Sequence, residues 1–378
     1  MSTACSSRSG KCGHRDVLNM TDADYMTRAL FHAARGRGRT SPNPVVGAVV
    51  VSSDGVVVGQ GFHQRAGEAH AEVRALDAAG ARAAGATLYC TLEPCSHVGR
   101  TGPCVERIVN AGIVRVVAAI EDPNPLVRGR GFTFLRQRGI PVEVGTCAAD
   151  ARWQNQSFLT LLETGRPFVT LKAAVSLDGY LAARPGHRTV LTSEASNRHA
   201  HRIRAEVDAI GVGVGTILVD DPLLTTRGVY RERPLLRVVF DRSLRMPAGA
   251  RVLSTGDRGP VMIITSQLAV DQVERRHALE RRGAEVVVGD GSIRGALEML
   301  GTRGVGGLLL EGGAGIHAAA WDEGVIDLVR LYVAPLRLGN GGVRFLNGKP
   351  FSVADLASRR IEPLGPDILV EGYVHGPR

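Results

Sequence analysis

The sequence predicts an α/β protein built from two domains, and three observations support this. Segments with helical periodicity and short apolar runs typical of buried strands alternate from Thr21 almost to the end of the chain. A chain of 378 residues is too long for one ordinary core, since a domain usually has roughly 100–200 residues. The turn-forming sequence Gly165-Arg166-Pro167 separates two such runs. We therefore place the domain boundary near residue 165.

The first predicted domain spans residues 20–165 and alternates helices with strands. Gly80 ends its second helix, Pro103 lies in the first turn of the third, and Gly112 follows that helix. The segments predicted as helices are 22–35, 69–79, 103–111 and 148–163, and the predicted strands are 45–52, 86–91 and 114–120. The pattern closes with residues 140–145 and predicts a three-layer α/β domain.

The second predicted domain spans residues 166–378 and begins with a new run of strands. Its predicted strands are 168–175, 209–214, 236–240, 261–265, 285–288, 307–310 and 328–333. Helices such as 193–206 and 270–282 alternate with them. This domain is therefore expected to be α/β as well.

The composition excludes several classes of protein. Hydrophobic residues make up 44% of the chain and charged residues 22%, so both domains can bury a core and wholesale disorder is excluded. No window approaches the ~18 uninterrupted apolar residues of a membrane helix, and the N-terminus lacks the apolar core of a signal peptide. We expect a cytoplasmic protein with no membrane partner. Residues 1–19 are small, polar and aperiodic, which predicts a disordered leader.

The basic residues are almost all arginine. The formal net charge is +9, but lysine occurs only at Lys11, Lys172 and Lys349, so 46 − 3 = 43 of the basic residues are arginine, and they are dispersed. Dispersed charge favours a compositional bias over a nucleic-acid partner. A few of these arginines would serve a small substrate that carries a phosphate.

The cysteines indicate metal binding rather than disulfides. They stand unevenly at Cys5, Cys12, Cys90, Cys95, Cys104 and Cys147. In a reducing compartment this spacing does not predict a disulfide framework. Within the leader, Cys5, Cys12 and His14 could bind a metal, but an unstructured tail is the favoured interpretation.

The strongest motif combines His70-Ala71-Glu72 with Pro94-Cys95 and Cys104. Zinc accepts histidine nitrogen and thiolate sulfur, and a catalytic zinc keeps three protein ligands and one open position for water. His70 and Glu72 can reach one site only from the first turn of a helix, which is where the sequence places them. His70, Cys95 and Cys104 are the predicted ligands. Glu72 is the predicted general acid and base of a deaminase.

The alternative is a closed structural zinc site, which needs a fourth protein ligand. Cys90 and His97 are the candidates. Cys90 alternates within a predicted strand, which favours a place in the core, whereas His97 is a real competitor. Because His-x-Glu and Pro-Cys both match the deaminase signature, we favour a catalytic zinc.

The spacing of the cysteines points to a free substrate. Deaminases that act on bases in nucleic acid carry Pro-Cys-x-x-Cys, a spacing of three, whereas here the spacing is 104 − 95 = 9. The inserted segment 96–103 brings polar and cationic groups beside the metal. A phosphorylated small substrate would use these groups better than an extruded base.

These residues and others resemble the family of bifunctional riboflavin-biosynthesis deaminase/reductases over about residues 21–375. The matching stretches in the first domain are 41–47 (SPNPVVG), 61–72 (GFHQRAGEAHAE), 91–97 (TLEPCSH), 99–101 (GRT) and 122–125 (DPNP). The resemblance implies a cytidine-deaminase-like three-layer α/β/α domain. It also implies that Asn43 and His97 lie near the pyrimidine and that Arg100 contacts its phosphate. The family usually has Pro where Gly102 stands, which would loosen the loop.

The second domain resembles the reductase half of the same family. The matching stretches are 171–179 (LKAAVSLDG), 204–210 (RAEVDAI), 213–227 (GVGTILVDDPLLTTR) and 310–315 (LEGGAG). Alone, these glycine clusters are weak signals, because neither matches a Rossmann fingerprint. The resemblance implies a dihydrofolate-reductase-like domain that binds NADPH. The implied cofactor contacts are Ala174, Thr216, Asp220, Gly312, Gly313, Ala314 and Gly315. The implied substrate contacts are Lys172, Arg204, Leu224, Arg227 and Glu311. The resemblance implies that the two arginines bind the phosphate of the substrate.

Our hypothesis is deamination of 2,5-diamino-6-ribosylamino-4(3H)-pyrimidinone 5′-phosphate, followed by NADPH-dependent reduction of its ribosyl group to ribityl. The family commonly has Trp at the position of Val190 and a small polar residue at that of Arg188. Losing the aromatic ring would weaken cofactor binding, while the extra arginine could favour a 2′-phosphate. There are two alternatives. The first is an active deaminase with an impaired reductase, and the second is a nucleic-acid or nucleoside deaminase with an accessory domain. A homo-oligomer is possible.

Overall fold

A computed structural model describes residues 20–96, 102–125 and 127–376. The predicted leader, including Cys5, Cys12 and His14, lies outside these residues, as do His97 and Arg100. Within the described ranges, no helix is long and apolar enough to cross a membrane.

The first half of the chain forms a five-stranded sheet. Its strands are β1 (Gly47–Val51), β2 (Val57–Phe62), β3 (Thr87–Cys90), β4 (Arg115–Ala118) and β5 (Val142–Val144), in the order β2-β1-β3-β4-β5. β1 runs antiparallel to both neighbours, and β3, β4 and β5 are parallel. All five residues of β1 are buried, because both faces of this interior strand are covered.

The helices of this half are α1 (Asp22–Ala34), α2 (Ala71–Ala79), α3 (Cys104–Asn110), α4 (Arg130–Gln137) and α5 (Ala148–Thr164). Thr21 caps α1 in a capping box with Asp24, so this helix begins where the sequence predicts. α5 ends at Gly165, which adopts φ +72°, a left-handed conformation that suits glycine. The predicted domain boundary lies at this residue.

Glycines bring α1 and α2 close to opposite faces of the sheet. A Cβ atom on Gly47 would lie 2.0 Å from the carbonyl oxygen of Ala29 in α1, and one on Gly61 would lie 2.7 Å from that of Ala71 in α2. Gly61 pairs with Ala48, the neighbour of Gly47 in β1, and neighbouring residues of a strand face opposite sides. The two helices therefore cover opposite faces, which gives three layers.

The second half forms a nine-stranded mixed sheet and a small two-stranded one. Its strands are β6 (Phe168–Ser176), β7 (Tyr180–Ala182), β8 (Ala209–Gly213), β9 (Leu236–Phe240), β10 (Val261–Ser266), β11 (Ala284–Gly289), β12 (Gly307–Leu310), β13 (Leu328–Ala334), β14 (Val343–Arg344), β15 (Ala357–Leu364) and β16 (Asp367–Tyr373). The large sheet has the order β11-β10-β9-β8-β12-β6-β13-β16-β15, and β7 pairs with β14. Only β16 pairs antiparallel with its neighbours in the large sheet.

The helices of the second half are α6 (Glu194–Glu206), α7 (Val214–Asp220), α8 (Val273–Glu280), α9 (Ile293–Thr302) and α10 (Ala314–Asp322). The parallel order β9-β8-β12-β6 brings the ends of β8 and β12 side by side. The chain leaves β8 directly into α7 and leaves β12 into the glycine turn before α10. This edge of the sheet therefore carries the glycine-rich motifs.

Sequence patterns missed several elements that the structure contains. β2 was not predicted, because Gly59 and Gly61 interrupt its apolar run where α2 packs against it. α4 and α7 are short, with eight and seven residues. The C-terminal hairpin of β15 and β16 was also missed, since six of the eight residues of β15 are exposed and the strand has no apolar face to detect.

Candidate active sites

The structure brings the three predicted zinc ligands together. One ligand atom from each of His70, Cys95 and Cys104 lies within 4.8 Å of the other two. His70 Nδ1 lies 3.2 Å from Cys104 Sγ and 3.4 Å from Cys95 Sγ. One imidazole nitrogen and two sulfur atoms at these separations form a ligand set that zinc prefers.

Helix ends position these residues. His70 caps the N-terminus of α2, so Glu72 lies in the first turn, and Cys104 is the first residue of α3. The backbone N–H of Cys104 donates to Cys95 Sγ at 3.4 Å. A backbone donor stabilises a thiolate, so this hydrogen bond favours the charged form of Cys95, which is the form that binds a metal.

The protonation of the site agrees with a metal centre. A hydrogen bond from the Cys104 thiol, together with one from His70, lowers the pKa of Cys95 to about 4. The same shared proton and burial raise the pKa of Cys104 well above its usual range. The opposite shifts arise because the two sulfur atoms lie close together, which places both within reach of one divalent cation.

Glu72 lies beside the cluster and is not one of its ligands. Its side chain is buried, and burial together with the Cys95 thiolate raises its pKa to about 7. A carboxyl group with a pKa near neutrality can both accept and donate a proton. Cys90 is buried in the core of the first sheet, where its thiol donates to the carbonyl of Val117 at 3.7 Å, so it does not complete the ligand set.

Asn43 reaches the same site through His63. Asn43 Nδ2 lies 3.3 Å from His63 Nε2, and the rings of His63 and His70 meet edge to face at 5.4 Å between centroids. Burial lowers the pKa of His63, which keeps the ring neutral and allows Nε2 to accept from the amide of Asn43. Sequence reasoning missed His63 as a site residue, although it directly follows the last residue of β2 in the matched stretch 61–72.

Glu93 holds the loop that follows β4. Its carboxylate accepts hydrogen bonds from the backbone N–H groups of Asp122, Gly129, Gly131 and Phe132, at 2.9–3.3 Å. This residue lies two positions before Cys95, so the same turn carries a ligand and anchors the 122–132 segment. The matched stretch TLEPCSH contains Glu93, but only the fold shows what it binds.

A large cleft of about 810 Å³ opens at the glycine-rich edge of the second sheet. Among the residues predicted to bind the cofactor, Thr216, Asp220, Gly312, Gly313 and Gly315 line it. The backbone turns at Gly312 with φ +121°, and a Cβ atom there would lie 2.9 Å from Thr216 Oγ1. The turn therefore requires glycine, and it presents the N-terminus of α10 to the cleft, where a phosphate can bind.

A smaller cavity of about 330 Å³ adjoins this cleft and contains the predicted substrate contacts. Lys172, Arg204, Leu224, Arg227 and Glu311 all line it. The two cavities share walls at Leu181, Arg188, Thr216, Asp220 and Gly312. Ala174 lines the smaller cavity rather than the cleft, and Ala314 is buried and lines neither. A dinucleotide in the cleft would thus meet a substrate across a shared wall.

Arg204 and Glu311 form a two-point ion pair in the smaller cavity, at 2.8 and 2.7 Å. Burial would raise the pKa of Glu311, but Arg204 and Lys172 outweigh it and hold the pKa at about 2. Arg204 also donates to the carbonyl of Thr225 at 3.1 Å. Because its guanidinium already has these partners, Arg204 is less suited to bind a phosphate than we expected. Arg227 donates instead to His201, at 3.2 Å.

Comparisons with known proteins agree with both sites. Residues 20–120 match the cytidine and deoxycytidylate deaminase zinc-binding region, and residues 167–370 match the RibD C-terminal domain. The riboflavin biosynthesis protein RibD of Aquifex aeolicus is 40% identical over 361 residues, which cover 94% of this chain and 99% of that protein. The chain belongs to the RibD family. RibD of Bacillus amyloliquefaciens is 41% identical over 352 residues, which cover 91% of this chain and 94% of that protein.

Solved structures of the RibD family share the whole architecture. RibD of Acinetobacter baumannii has a TM-score of 0.81 at 36% identity and covers 93% of this chain and 98% of its own. A deaminase/reductase of Thermotoga maritima has a TM-score of 0.82 at 32% identity, and the match covers 94% of this chain and 99% of that one. Membership of the RibD family confirms the predicted fold class, the bifunctional deaminase and reductase activity, and the two cofactors, zinc and NADPH.

Two departures from the family pattern, at residues 188 and 190, lie in the segment beside the predicted cofactor cleft. Arg188 is exposed and lines both cavities, and its charge partly offsets the rise that burial causes in the pKa of Asp220. Val190 is 73% exposed, two residues further along. An aromatic side chain at this position would have room beside the cleft.

Proposed function

We propose that this chain performs two consecutive reactions on one phosphorylated pyrimidine. The first removes the amino group at C2 of 2,5-diamino-6-ribosylamino-4(3H)-pyrimidinone 5′-phosphate by hydrolysis. The second reduces the ribosyl group of the product to ribityl with NADPH. The observation that carries the proposal is that one chain contains both sites. One is a His-Cys-Cys cluster beside a buried glutamate, and the other is a separate cleft of dinucleotide size.

In the deamination, His70, Cys95 and Cys104 hold the zinc ion. When bound, zinc supplies Lewis-acid activation of a water molecule. Glu72 takes a first proton from water and delivers it to the ring nitrogen, and it then takes the second proton from the added hydroxyl and delivers it to the departing amine. Water adds to the ring carbon, the carbon–nitrogen bond breaks, and ammonia leaves while a carbonyl remains. Asn43 orients the pyrimidine, with His63 behind it, and His97 and Arg100 complete the contacts to ring and phosphate.

In the reduction, the glycine turn 312–315 and Thr216 hold the dinucleotide, and Asp220 and Ala174 border it near the substrate. When bound, NADPH would supply a hydride to the sugar carbon that bears the amine; the bond from this carbon to the ring oxygen breaks, and that oxygen takes a proton. Glu311 and Lys172 bind polar groups of the sugar, and Leu224 packs against the substrate. Arg204 fixes Glu311 by two hydrogen bonds, which leaves Arg227 to bind the phosphate.

We further propose domain limits of 20–165 for the deaminase and 166–378 for the reductase. The thiolate ligands support a reducing, cytoplasmic location. The substrate is a small molecule, and the dispersed arginines do not call for a nucleic-acid partner.

The experiment compares wild type with Glu72→Gln and measures ammonia release, NADPH oxidation and zinc content on the same sample. Glu72→Gln should lower deamination by about 10²–10⁴-fold, should retain zinc, and should still oxidise NADPH with the deaminated substrate. Glu106→Gln, an exposed glutamate in the first turn of α3, is the matched control. Deamination that survives in Glu72→Gln would refute the role of Glu72. Ammonia release without NADPH oxidation in wild type would indicate an impaired reductase.

A further inference from the structure

The loop before β1 carries Asn43 and lies where the two halves of the chain meet. Two residues before Asn43, Ser41 Oγ donates a hydrogen bond to Asp208 Oδ2 at 2.7 Å. Asp208 precedes β8 in the reductase half, 167 positions further along the chain. A residue of the deaminase loop is thus held by a carboxylate of the reductase.

Asp208 is fixed by its own half and does not depend on Ser41. Its carboxylate accepts from the backbone N–H groups of Gly306 and Gly307 at 2.9 and 3.0 Å, and from Arg233 at 3.1 Å. Its side chain is only 10% exposed. Two backbone donors of the reductase half therefore bind the same oxygen as Ser41, Oδ2, and Arg233 binds the other oxygen, so three donors hold the carboxylate in place.

On its other side, the loop is held by α5. Asn155 accepts from the backbone N–H of Val45 at 2.9 Å and donates to the carbonyl of Val45 at 3.1 Å. Between these two anchors, the backbone N–H of Asn43 donates to the carbonyl of Thr40 at 2.9 Å. The amide of Asn43 then meets His63 at 3.3 Å, next to the ligand His70.

The Ser41–Asp208 bond differs from the other polar contacts between the halves. Four ion pairs also bridge them, and in each at least one side chain is more than one third exposed, so such pairs contribute little: Arg37–Glu206, Arg39–Glu232, Arg65–Glu232 and Arg360–Asp150. A hydrogen bond to a buried, fixed carboxylate is stronger and more directional. It can therefore define where the loop lies rather than merely bring the two halves together.

We propose that Ser41 and Asp208 are positioning residues of the deaminase site, by which the reductase half sets the place of Asn43 against the pyrimidine. Neither residue touches a reacting atom, so both act through the loop. This inference rests on the proposed deamination and adds to it that the first reaction depends on the second domain.

The test uses the full-length, zinc-loaded protein and the variant Ser41→Ala, which removes the hydroxyl and leaves the three other partners of Asp208 in place. We expect the KM for deamination to rise about tenfold, with zinc content and NADPH oxidation on the deaminated substrate unchanged. Ser41→Thr keeps a hydroxyl and should restore most of the KM. Arg37→Ala, which removes the exposed ion pair with Glu206, should change nothing. An unchanged KM in Ser41→Ala, or an equal loss in both activities, would overturn the inference.

A second readout does not depend on activity. In ¹⁵N-histidine spectra, the ring signal of His63, assigned by its loss in His63→Asn, should shift in Ser41→Ala and return in Ser41→Thr. A His63 signal identical in wild type and Ser41→Ala would count against the inference even if ammonia release changed. If wild type itself released no ammonia, the proposed function would fail, while the His63 signal would still decide whether Ser41 positions the loop.

Discussion

Glu311 accepts two hydrogen bonds from Arg204, one on each carboxylate oxygen, at the inner end of the predicted substrate cavity. Both side chains are mostly buried, with 16% of Arg204 and 10% of Glu311 exposed. A buried ion pair of this kind adds little net stability. Removal of one partner nevertheless costs much more, because the other charge is then left buried and uncompensated. The pair therefore gives Glu311 a fixed, ionised state.

We expect Arg204→Met to lower the free energy of unfolding by about 3–5 kcal/mol, because it leaves the Glu311 carboxylate buried without its partner. The double variant Arg204→Met with Glu311→Gln should lose less than the sum of the two single variants. Denaturant unfolding measures both quantities. Arg198→Met, on the same helix but 62% exposed, is the control and should change little. Additive losses would contradict a coupled pair.

Removal of zinc should separate the two activities. The predicted zinc ligands lie at helix ends and in a loop of the first half, whereas the predicted cofactor cleft lies at the edge of the second sheet. A chelator should therefore abolish ammonia release and leave NADPH oxidation with the deaminated substrate largely intact. Added zinc should restore the first activity. A parallel loss of both activities would show that the metal also supports the reductase domain.

Gly61 controls the place of the helix that carries His70 and Glu72. A side chain there would meet the backbone of Ala71 and Ala75 at 2.7 and 2.8 Å. Gly61→Val should displace the first turn of α2 and lower both zinc content and deamination at least about tenfold. Gly249→Val, at an exposed position with no atom within 4 Å of the added carbon, is the control. Full zinc content in Gly61→Val would contradict this account.

His317 should make the reductase domain sensitive to acid. It is fully buried on α10, neither ring nitrogen has a hydrogen-bond partner among the described residues, and burial lowers its pKa to about 4. The neutral ring is thus favoured by folding. The neutral ring therefore adds roughly 3 kcal/mol to the free energy of unfolding. This contribution is fully present above the ordinary pKa of 6.5 and is lost as the pH falls towards 4.

His317→Leu should therefore flatten the dependence of unfolding free energy on pH between 6.5 and 4. The fluorescence of Trp321, one turn further along α10, reports unfolding of this region when Trp153 is replaced by Phe. His277→Gln removes an exposed histidine on α8 and should leave the slope unchanged. An equal slope in His317→Leu and wild type would exclude His317 as the titrating group.

Val190→Trp should tighten binding of NADPH. Val190 is exposed beside Arg188 and Thr189, which line the cofactor cleft, so an aromatic ring could cover part of the dinucleotide. The expected gain is about 1 kcal/mol, or roughly fivefold in Kd. Fluorescence titration with NADPH measures it. Val190→Leu, which adds apolar surface without a ring, is the control, and an equal gain in both variants would show that stacking is not involved.

Local sequence determined much of this protein. The two α/β halves follow from periodicity and turn residues, because each helix or strand depends on neighbours within a few positions. The break near residue 165 and the ligand set of His70, Cys95 and Cys104 stay predictions from turn residues and ligand chemistry. The sequence predicts His70 and Glu72 in a first helical turn; the structure places Glu72 there and His70 at the N-cap position just before it. By contrast, the sequence does not predict β2 or β15, because neither strand has apolar periodicity. β2 contains glycines that make room for a helix, and β15 is exposed and polar.

Tertiary structure alone decided which distant groups meet. Ser41 and Asp208, Asn43 and His63, and Arg204 and Glu311 are each joined by side chains that are far apart in the sequence. The two hydrogen bonds from Arg204 to Glu311 also follow from the fold. A sequence pattern reports which side chain stands on which face of one element. Only the packing of elements against each other brings two such faces within hydrogen-bonding distance.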